Sequence, residues 1–329
     1  MKYYDDYRRY VSEEIDKRVP VIPTADTGLL SFTPYISNRC SAACRFCSER
    51  LTKRGAAAAG LSMCDGYRDK LVRAFLYQRE RPMSLSVSGM EPSESPEQLR
   101  AVSEAVRIAE QAGCSFPNRV MYSNLSGFTK RRDELLGILG DLRLTRIECS
   151  RHHYDETVNQ SIARFKPGET IRENAVFSAV VHDLLQRVPI TMVCVTQRSG
   201  VASQGAVEEY LDFARRNGVE RVVFRELSVF LDQNEQNDVT SYITESRVEM
   251  MDLLTSLPDR FRLERVTEGY YYYSFIYRYE GMEVLFEMSD YNQMVKRHYG
   301  DGRLHKLIFY CNGDLCRDWD MRGRIDLDE

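Results

Sequence analysis

The feature that most constrains the fold is an alternation of short apolar segments with amphipathic ones between residues 29 and 227. Strands are expected at 29–36, 85–88, 119–123, 144–149, 190–195 and 221–227. Helices are expected at 67–78, 95–113, 130–139, 173–185 and 206–217. The second helix has a full set of start and stop signals. Ser95 suits the N-cap, Pro96 the first helical position and Gln98 the capping-box position three residues on. Leu99, Val102 and Val106 then share one face, and Gly113 suits the stop. In the last helix Val207, Tyr210, Leu211 and Ala214 share a face and Gly218 follows. Six strands, each followed by a helical or irregular segment, predict parallel βα units with right-handed connections. No Gly-rich dinucleotide fingerprint follows the first strand, which disfavours a Rossmann fold. A partial barrel would collect its chemistry at the C-terminal ends of the strands.

Around this core, residues 1–18 read as a polar helix and 55–60 as a loop or weak helix start. The most polar stretch, 232–238, reads as a linker or lid, and a helix is expected near 247–257. Two hairpins are expected, 270–279 with 282–288 turning at Glu280-Gly281, and 304–310 with 315–319 turning at Asn312-Gly313. The expected organisation is a helical extension (1–25), an α/β core (26–231), and a linker with a small α+β C-terminal cap (232–329).

The chain has 329 residues, room for one large α/β domain and an appendage. Its net charge of -4 disfavours a nucleic-acid footprint, which needs a basic surface. No apolar run approaches the ~20 residues that span a bilayer, and the start lacks the apolar core of a signal peptide. The expectation is a cytoplasmic protein without membrane or nucleic-acid partners. Nine cysteines, an odd number, point to reduced thiols or metal ligands rather than a disulfide scaffold.

Three of them, Cys40, Cys44 and Cys47, form a C-x3-C-x2-C array in the loop after the first strand. Thiolates suit iron–sulfur clusters and zinc. Zinc needs a fourth ligand, and no further Cys or His lies between residues 38 and 60. A [4Fe–4S] cluster normally takes four cysteines, so three leave one iron open. Cys40-Ser-Ala-Ala-Cys44-Arg-Phe46-Cys47 resembles the signature of the radical S-adenosylmethionine (SAM) superfamily, including the aromatic Phe46 before the last cysteine. The resemblance covers about residues 29–230. It implies a partial (β/α)6 TIM-type barrel, a [4Fe–4S] cluster held by the three cysteines, and SAM chelated at the open iron. Ser88-Gly89-Met90-Glu91-Pro92 resembles the superfamily's Gly-Gly-Glu-Pro segment, which binds the SAM amino group. Ser150 at the end of the fourth strand matches a ribose-contacting serine. Arg164 matches an arginine that holds the SAM carboxylate, a task suited to its bidentate fork. Asn124 ends the third strand and is a further candidate to face the cavity.

Arg151, His152 and His153, at the mouth of the expected barrel, are candidate substrate contacts. Arg225 and Glu226 near the end of the sixth strand are a candidate catalytic pair or a structural salt bridge, and Gln197 is a weaker candidate. Cys311 and Cys316 flank the C-terminal turn and are candidates for giving a hydrogen atom to a substrate radical. Cys64, Cys114, Cys149 and Cys194 are scattered over the core. The resemblance implies hydrogen abstraction from carbon, with an electron donor such as flavodoxin or ferredoxin, and eliminating other subclasses leaves a small polar metabolite as the expected substrate. Decarboxylation, epimerisation and dehydrogenation stay open. The alternatives are a peptide-modifying radical SAM enzyme and a non-catalytic iron–sulfur or zinc protein. Residues 1–25 are too short for a cobalamin domain. The ending Ile325-Asp-Leu-Asp-Glu329 lacks the Gly-Gly of molybdopterin-precursor cyclases.

Overall fold

The computed structural model describes residues 3–24, 28–36, 39–50, 62–228, 237–319, 321 and 323–327. The expected loop at 55–60 and most of the expected linker at 232–238 lie outside the described residues. In chain order the strands are β1 (Val21–Pro23), β2 (Leu30–Ile36), β3 (Met83–Gly89), β4 (Asn118–Ser123), β5 (Arg146–Ser150), β6 (Ile190–Thr196), β7 (Arg221–Glu226), β8 (Arg262–Glu268), β9 (Tyr272–Tyr279), β10 (Met282–Ser289), β11 (Lys306–Phe309), β12 (Leu315–Cys316) and β13 (Arg324–Ile325). The helices are α1 (Tyr3–Tyr10), α2 (Tyr67–Leu76), α3 (Pro96–Gln111), α4 (Arg132–Leu142), α5 (Glu156–Ala163), α6 (Asn174–Leu185), α7 (Gln204–Arg216), α8 (Asp238–Ser246), α9 (Met250–Ser256) and α10 (Tyr291–Gly300). The six expected parallel-type strands are β2 to β7. The result is an α/β fold with a mostly parallel open sheet.

The chain divides into two compact units. The cysteine unit comprises Gly28–Ser150, Arg164–Ile190 and Leu304–Glu329. Its strands run in the order β5-β4-β3-β2-β11-β12-β13, the first five mutually parallel. β3 shows why they form a layered sheet. Met83, Leu85 and Val87 are fully buried, while Ser84, Ser86 and Ser88 alternate on the other face. That period of two gives the strand an apolar face and a small-polar face. The same principle places Phe32 of β2 against Phe75 of α2, which meets Phe116 edge-on. Leu99, Val102 and Val106 of α3 are buried as their spacing predicts. Each such side chain contributes about 1.5–3 kcal/mol. The capping box at Ser95 does not form: the Ser95 side chain makes no cap bond, and Gln98 turns inward. Its amide donates to the Tyr35 carbonyl at 3.0 Å and the Tyr67 hydroxyl at 3.3 Å.

The tyrosine unit comprises Met1–Thr27, Arg151–Ala163 and Thr191–Arg303. Its order is β6-β7-β10-β9-β8-β1. β7 pairs in parallel with both β6 and β10. β9 and β10 form the expected hairpin, with Glu280 at φ 45° and Gly281 at φ 86°, the signs a type I′ turn needs. The residues expected as one C-terminal cap are therefore divided: β8–β10 extend this unit's sheet, and β11–β13 extend the other. The reason is hydrogen bonding, since β7 and β2 each have an edge whose backbone groups need partners. The polar N-terminal helix buries three tyrosines. Tyr3 packs edge-on to Tyr7, Tyr4 lies 5.0 Å from Tyr273, and Tyr7 meets Phe275. Of the tyrosine run, Tyr273 packs in this core and Tyr270 bonds His298.

Candidate cluster and cofactor site

The cysteine loop leaves β2 and is held from two sides. Ala42 bridges to Phe165, Ala43 N–H donates to the Arg164 carbonyl at 3.2 Å, and Lys166 N–H donates to the Ser41 carbonyl at 2.8 Å. From the other side Asn124, just past β4, donates its amide to the buried Ser41 hydroxyl at 3.1 Å and to the Cys40 sulfur at 3.7 Å. Ala42 N–H also donates to the Cys40 sulfur, at 3.4 Å. Burial pushes the Cys40 thiol up to about 12; the Glu91 charge adds to this and the Ala42 N–H opposes it. Burial likewise raises Cys44, with the charges of Cys47 and Cys40 next. The three sulfurs therefore sense one another, and as thiolates they call for shared positive charge.

That donor set fits a [4Fe–4S] cluster. Hydrogen bonds to ligating sulfurs are a normal part of such sites. Among the described residues no three His, Cys, Asp or Glu side chains gather as ligands of one metal ion. A cubane does not require that, because it spreads three thiolates over three different irons.

Gly89 ends β3 at φ 142°, and an added Cβ would lie 2.1 Å from the Ile36 carbonyl oxygen. This is a position that only glycine fits. The turn lets Met90 N–H donate to Ile36 and Glu91 N–H to Arg39. Glu91 is buried, and its carboxylate accepts from Ser93 N–H (3.1 Å), the Ser93 hydroxyl (2.6 Å), the Ser123 hydroxyl and Asn124 N–H (2.6 Å). Burial raises its pKa, and those hydrogen bonds oppose the rise. Glu91 thus ties the end of β3 to the end of β4, and Asn124 carries the tie on to Cys40. The sequence reading missed Ser41, Ser93, Ser123 and Ser126. Ser41 bonds Ser126 at 2.7 Å, and Ser93 bonds Gly127 N–H at 2.9 Å. A signal was present in Ser123, Asn124 and Ser126, small polar residues at the end of an apolar strand and just past it.

Ser88 and Ser150 are half-buried at the C-terminal ends of β3 and β5, and Phe46 and Met90 are half-buried beside the loop. Arg164 is exposed and adopts φ 53°. A non-glycine residue there is strained by roughly 1–3 kcal/mol, and the bridge to the cysteine loop over-determines it.

The candidates in the tyrosine unit are mostly enclosed. Arg151, His152 and His153 are 1%, 5% and 7% exposed. His152 Nδ1 accepts from Val195 N–H and His153 Nδ1 from Asp155 N–H. Burial, then the Arg151 charge, pushes His152 down to about 3, so its ring is neutral at pH 7. Both histidine rings brace the turn between β5 and α5. Arg225 and Glu226 do not pair with each other, because neighbours in a strand face opposite ways. Arg225 pairs with Glu287 at 2.7 Å. Glu226 accepts from Arg247 at 3.1 Å, Met250 N–H and the Tyr3 hydroxyl. Burial pushes Glu226 up to about 7 against the pull of Arg247. Gln197 is buried and accepts from Tyr242 at 2.6 Å. In the cysteine unit, Cys316 packs with Tyr35, Ile308 and Tyr310, and Cys311 is 3% exposed.

No protein-family model and no curated protein matches the chain. Solved structures do. Streptococcus suis SuiB bound to precursor peptide SuiA aligns over 97% of this chain and 64% of its own, at 16% identity and a TM-score of 0.52. SuiB bound to S-adenosylmethionine aligns over 99% and 68%, at 15% identity and a TM-score of 0.50. Native anSMEcpe with bound AdoMet aligns over 60% of this chain and 50% of its own, at 15% identity and a TM-score of 0.46. The chain thus spans half the length of anSMEcpe and about two thirds that of SuiB. The chain shares its fold with SuiB. No described helix is long and apolar enough to cross a membrane.

Proposed function

We propose that the chain is a radical SAM enzyme acting on a small polar metabolite. The observation that carries this is the C-x3-C-x2-C loop at the end of β2, with Cys40 hydrogen-bonded from the end of β4, in a fold shared with SuiB. When bound, a [4Fe–4S] cluster on Cys40, Cys44 and Cys47 supplies the electron that cleaves SAM to methionine and a 5′-deoxyadenosyl radical, which takes a hydrogen atom from substrate.

The chain's own residues hold and orient. Asn124 and Ala42 N–H stabilise the Cys40 thiolate. Gly89 and Met90 offer backbone carbonyls to the SAM amino group, while Glu91 fixes their turn and adds its charge nearby. Ser150 faces the ribose. Arg164, anchored to the loop by its own carbonyl, offers its guanidinium to the SAM carboxylate. A reduced flavodoxin or ferredoxin supplies the electron.

A second reading, a peptide substrate, is favoured by one observation. SuiB, which aligns with nearly the whole chain, is seen bound to a precursor peptide.

The test is anaerobic. The reconstituted, reduced protein is given SAM, and 5′-deoxyadenosine is quantified. Formation by the wild type and loss in Cys40→Ala are expected; equal yields from both would overturn the reading. Supplying candidate metabolites and peptides then reports which one raises the yield.

A further inference from the structure

Cys64 and Cys311 are distant in sequence, and both lie in the cysteine unit. Cys64 N–H donates to the Cys311 carbonyl at 2.9 Å. A direct backbone hydrogen bond brings two residues to about the Cα separation a disulfide needs, ~4.4–6.8 Å. The Cys64 side chain also turns toward the Cys311 segment. An added Cβ on Gly313, two residues past Cys311, would sit 3.2 Å from the Cys64 sulfur. The Cys64 sulfur thus lies against the 310–313 turn that carries Cys311. A Cys64 charge would add to the burial that raises the Cys311 thiol, and both sulfurs act on the nearby Tyr67. Lys70 donates to the Cys64 sulfur at 3.7 Å. Cys64 is half-buried and reachable, whereas Cys311 is enclosed.

We propose that Cys64 and Cys311 form a redox modification site, an attacking thiol and a resolving thiol that close to a cystine. The oxidant is a low-molecular-weight disulfide. The Cys64 thiol loses its proton and attacks one sulfur of that disulfide, giving a mixed disulfide on Cys64 and releasing one small thiolate. The Cys311 thiol then loses its proton and attacks the Cys64 sulfur. The second small thiolate leaves, and the protein has lost two electrons and two protons. Lys70 lies where negative charge develops on the first sulfur. The cystine fastens the turn before α2 to the turn between β11 and β12. Tyr310, next to Cys311, packs 5.3 Å from Tyr35, whose hydroxyl donates to Glu49 beside the cysteine loop. The modification therefore bears on the loop's far end.

The test treats the anaerobically reconstituted full chain with oxidised glutathione, alkylates the remaining thiols under denaturing conditions and maps the peptides by mass spectrometry. A Cys64–Cys311 crosslink is expected. Cys311→Ser should stop at a glutathione adduct on Cys64, and Cys64→Ser should leave Cys311 alkylated. Cys114→Ser should crosslink like wild type, and Lys70→Met should slow the first step about threefold. If wild-type Cys64 and Cys311 are recovered both alkylated, both as separate glutathione adducts, or joined to other cysteines, the proposal is overturned. The wild-type map alone decides this should a variant fail to fold.

Discussion

Asn124 binds the Cys40 sulfur with its side-chain amide at 3.7 Å while its backbone N–H donates to Glu91 at 2.6 Å. One residue therefore connects the proposed cluster ligand to the turn proposed to hold SAM. A donor aimed at a ligating sulfur favours the reduced cluster less when it is removed. Asn124→Ala should retain about four irons per chain. Its reduction potential should be more negative by tens of millivolts in an EPR-monitored titration. An unchanged potential would remove Asn124 from the site.

Gly89→Ala should be among the most damaging single-methyl additions in the chain. Its Cβ would collide with the Ile36 backbone, which is itself a paired strand. A loss of about 3 kcal/mol or more, read as a fall in the denaturant midpoint or in soluble yield, is expected. Gly137→Ala in α4, which meets nothing within 4 Å, should be neutral or gain up to about 1 kcal/mol.

Glu226 gives a pH signature. Its pKa is raised in the folded chain, from an ordinary 4.5 to about 7. The folded state thus holds a proton that the unfolded state releases between those values. The associated stability is present below about pH 4.5 and is lost as pH rises toward 7. Glu226→Gln cannot ionise, so its stability relative to wild type should improve across that window, by at most about 1.4 kcal/mol per pH unit. Urea unfolding of both proteins at pH 4.5, 6 and 7.5 measures it. A constant difference would refute the assignment.

Gln98→Leu should cost about 1–3 kcal/mol in urea unfolding, because the Tyr35 carbonyl loses its buried donor. Gln98→Glu should cost more, since the new charge meets an acceptor. Gln98→Ala matching wild type would show that its inward hydrogen bonds add nothing to stability.

Much of the core was legible, for reasons visible in single elements. β3 alternates apolar residues with serine, and α3 repeats its apolar residues at helical spacing, so local patterns match the final packing. The cysteine spacing was equally local. What stayed hidden depends on distant partners. Gln98 fits a capping box by position, yet the Tyr35 carbonyl draws it inward. Arg225 and Glu226 look like a pair by adjacency, but a strand turns them apart, to Glu287 and Arg247. Tyr3, Tyr4 and Tyr7 read as a polar surface until Tyr273 and Phe275 arrive from the far end of the chain. Cys64 meets Cys311 only through the placement of β11.

The framing of the cysteine loop sets an order of events during synthesis. The bridge from Ala42 to Phe165 cannot close before the ribosome has made β5. β2, which launches the loop, gains its second neighbour only after β11, far along the chain, has been made. Until then the three thiols ride on an unfinished scaffold, exposed to oxidants and to stray metal. If the three thiols hold a cluster as proposed, its insertion has to wait until both Phe165 and β11 have been made.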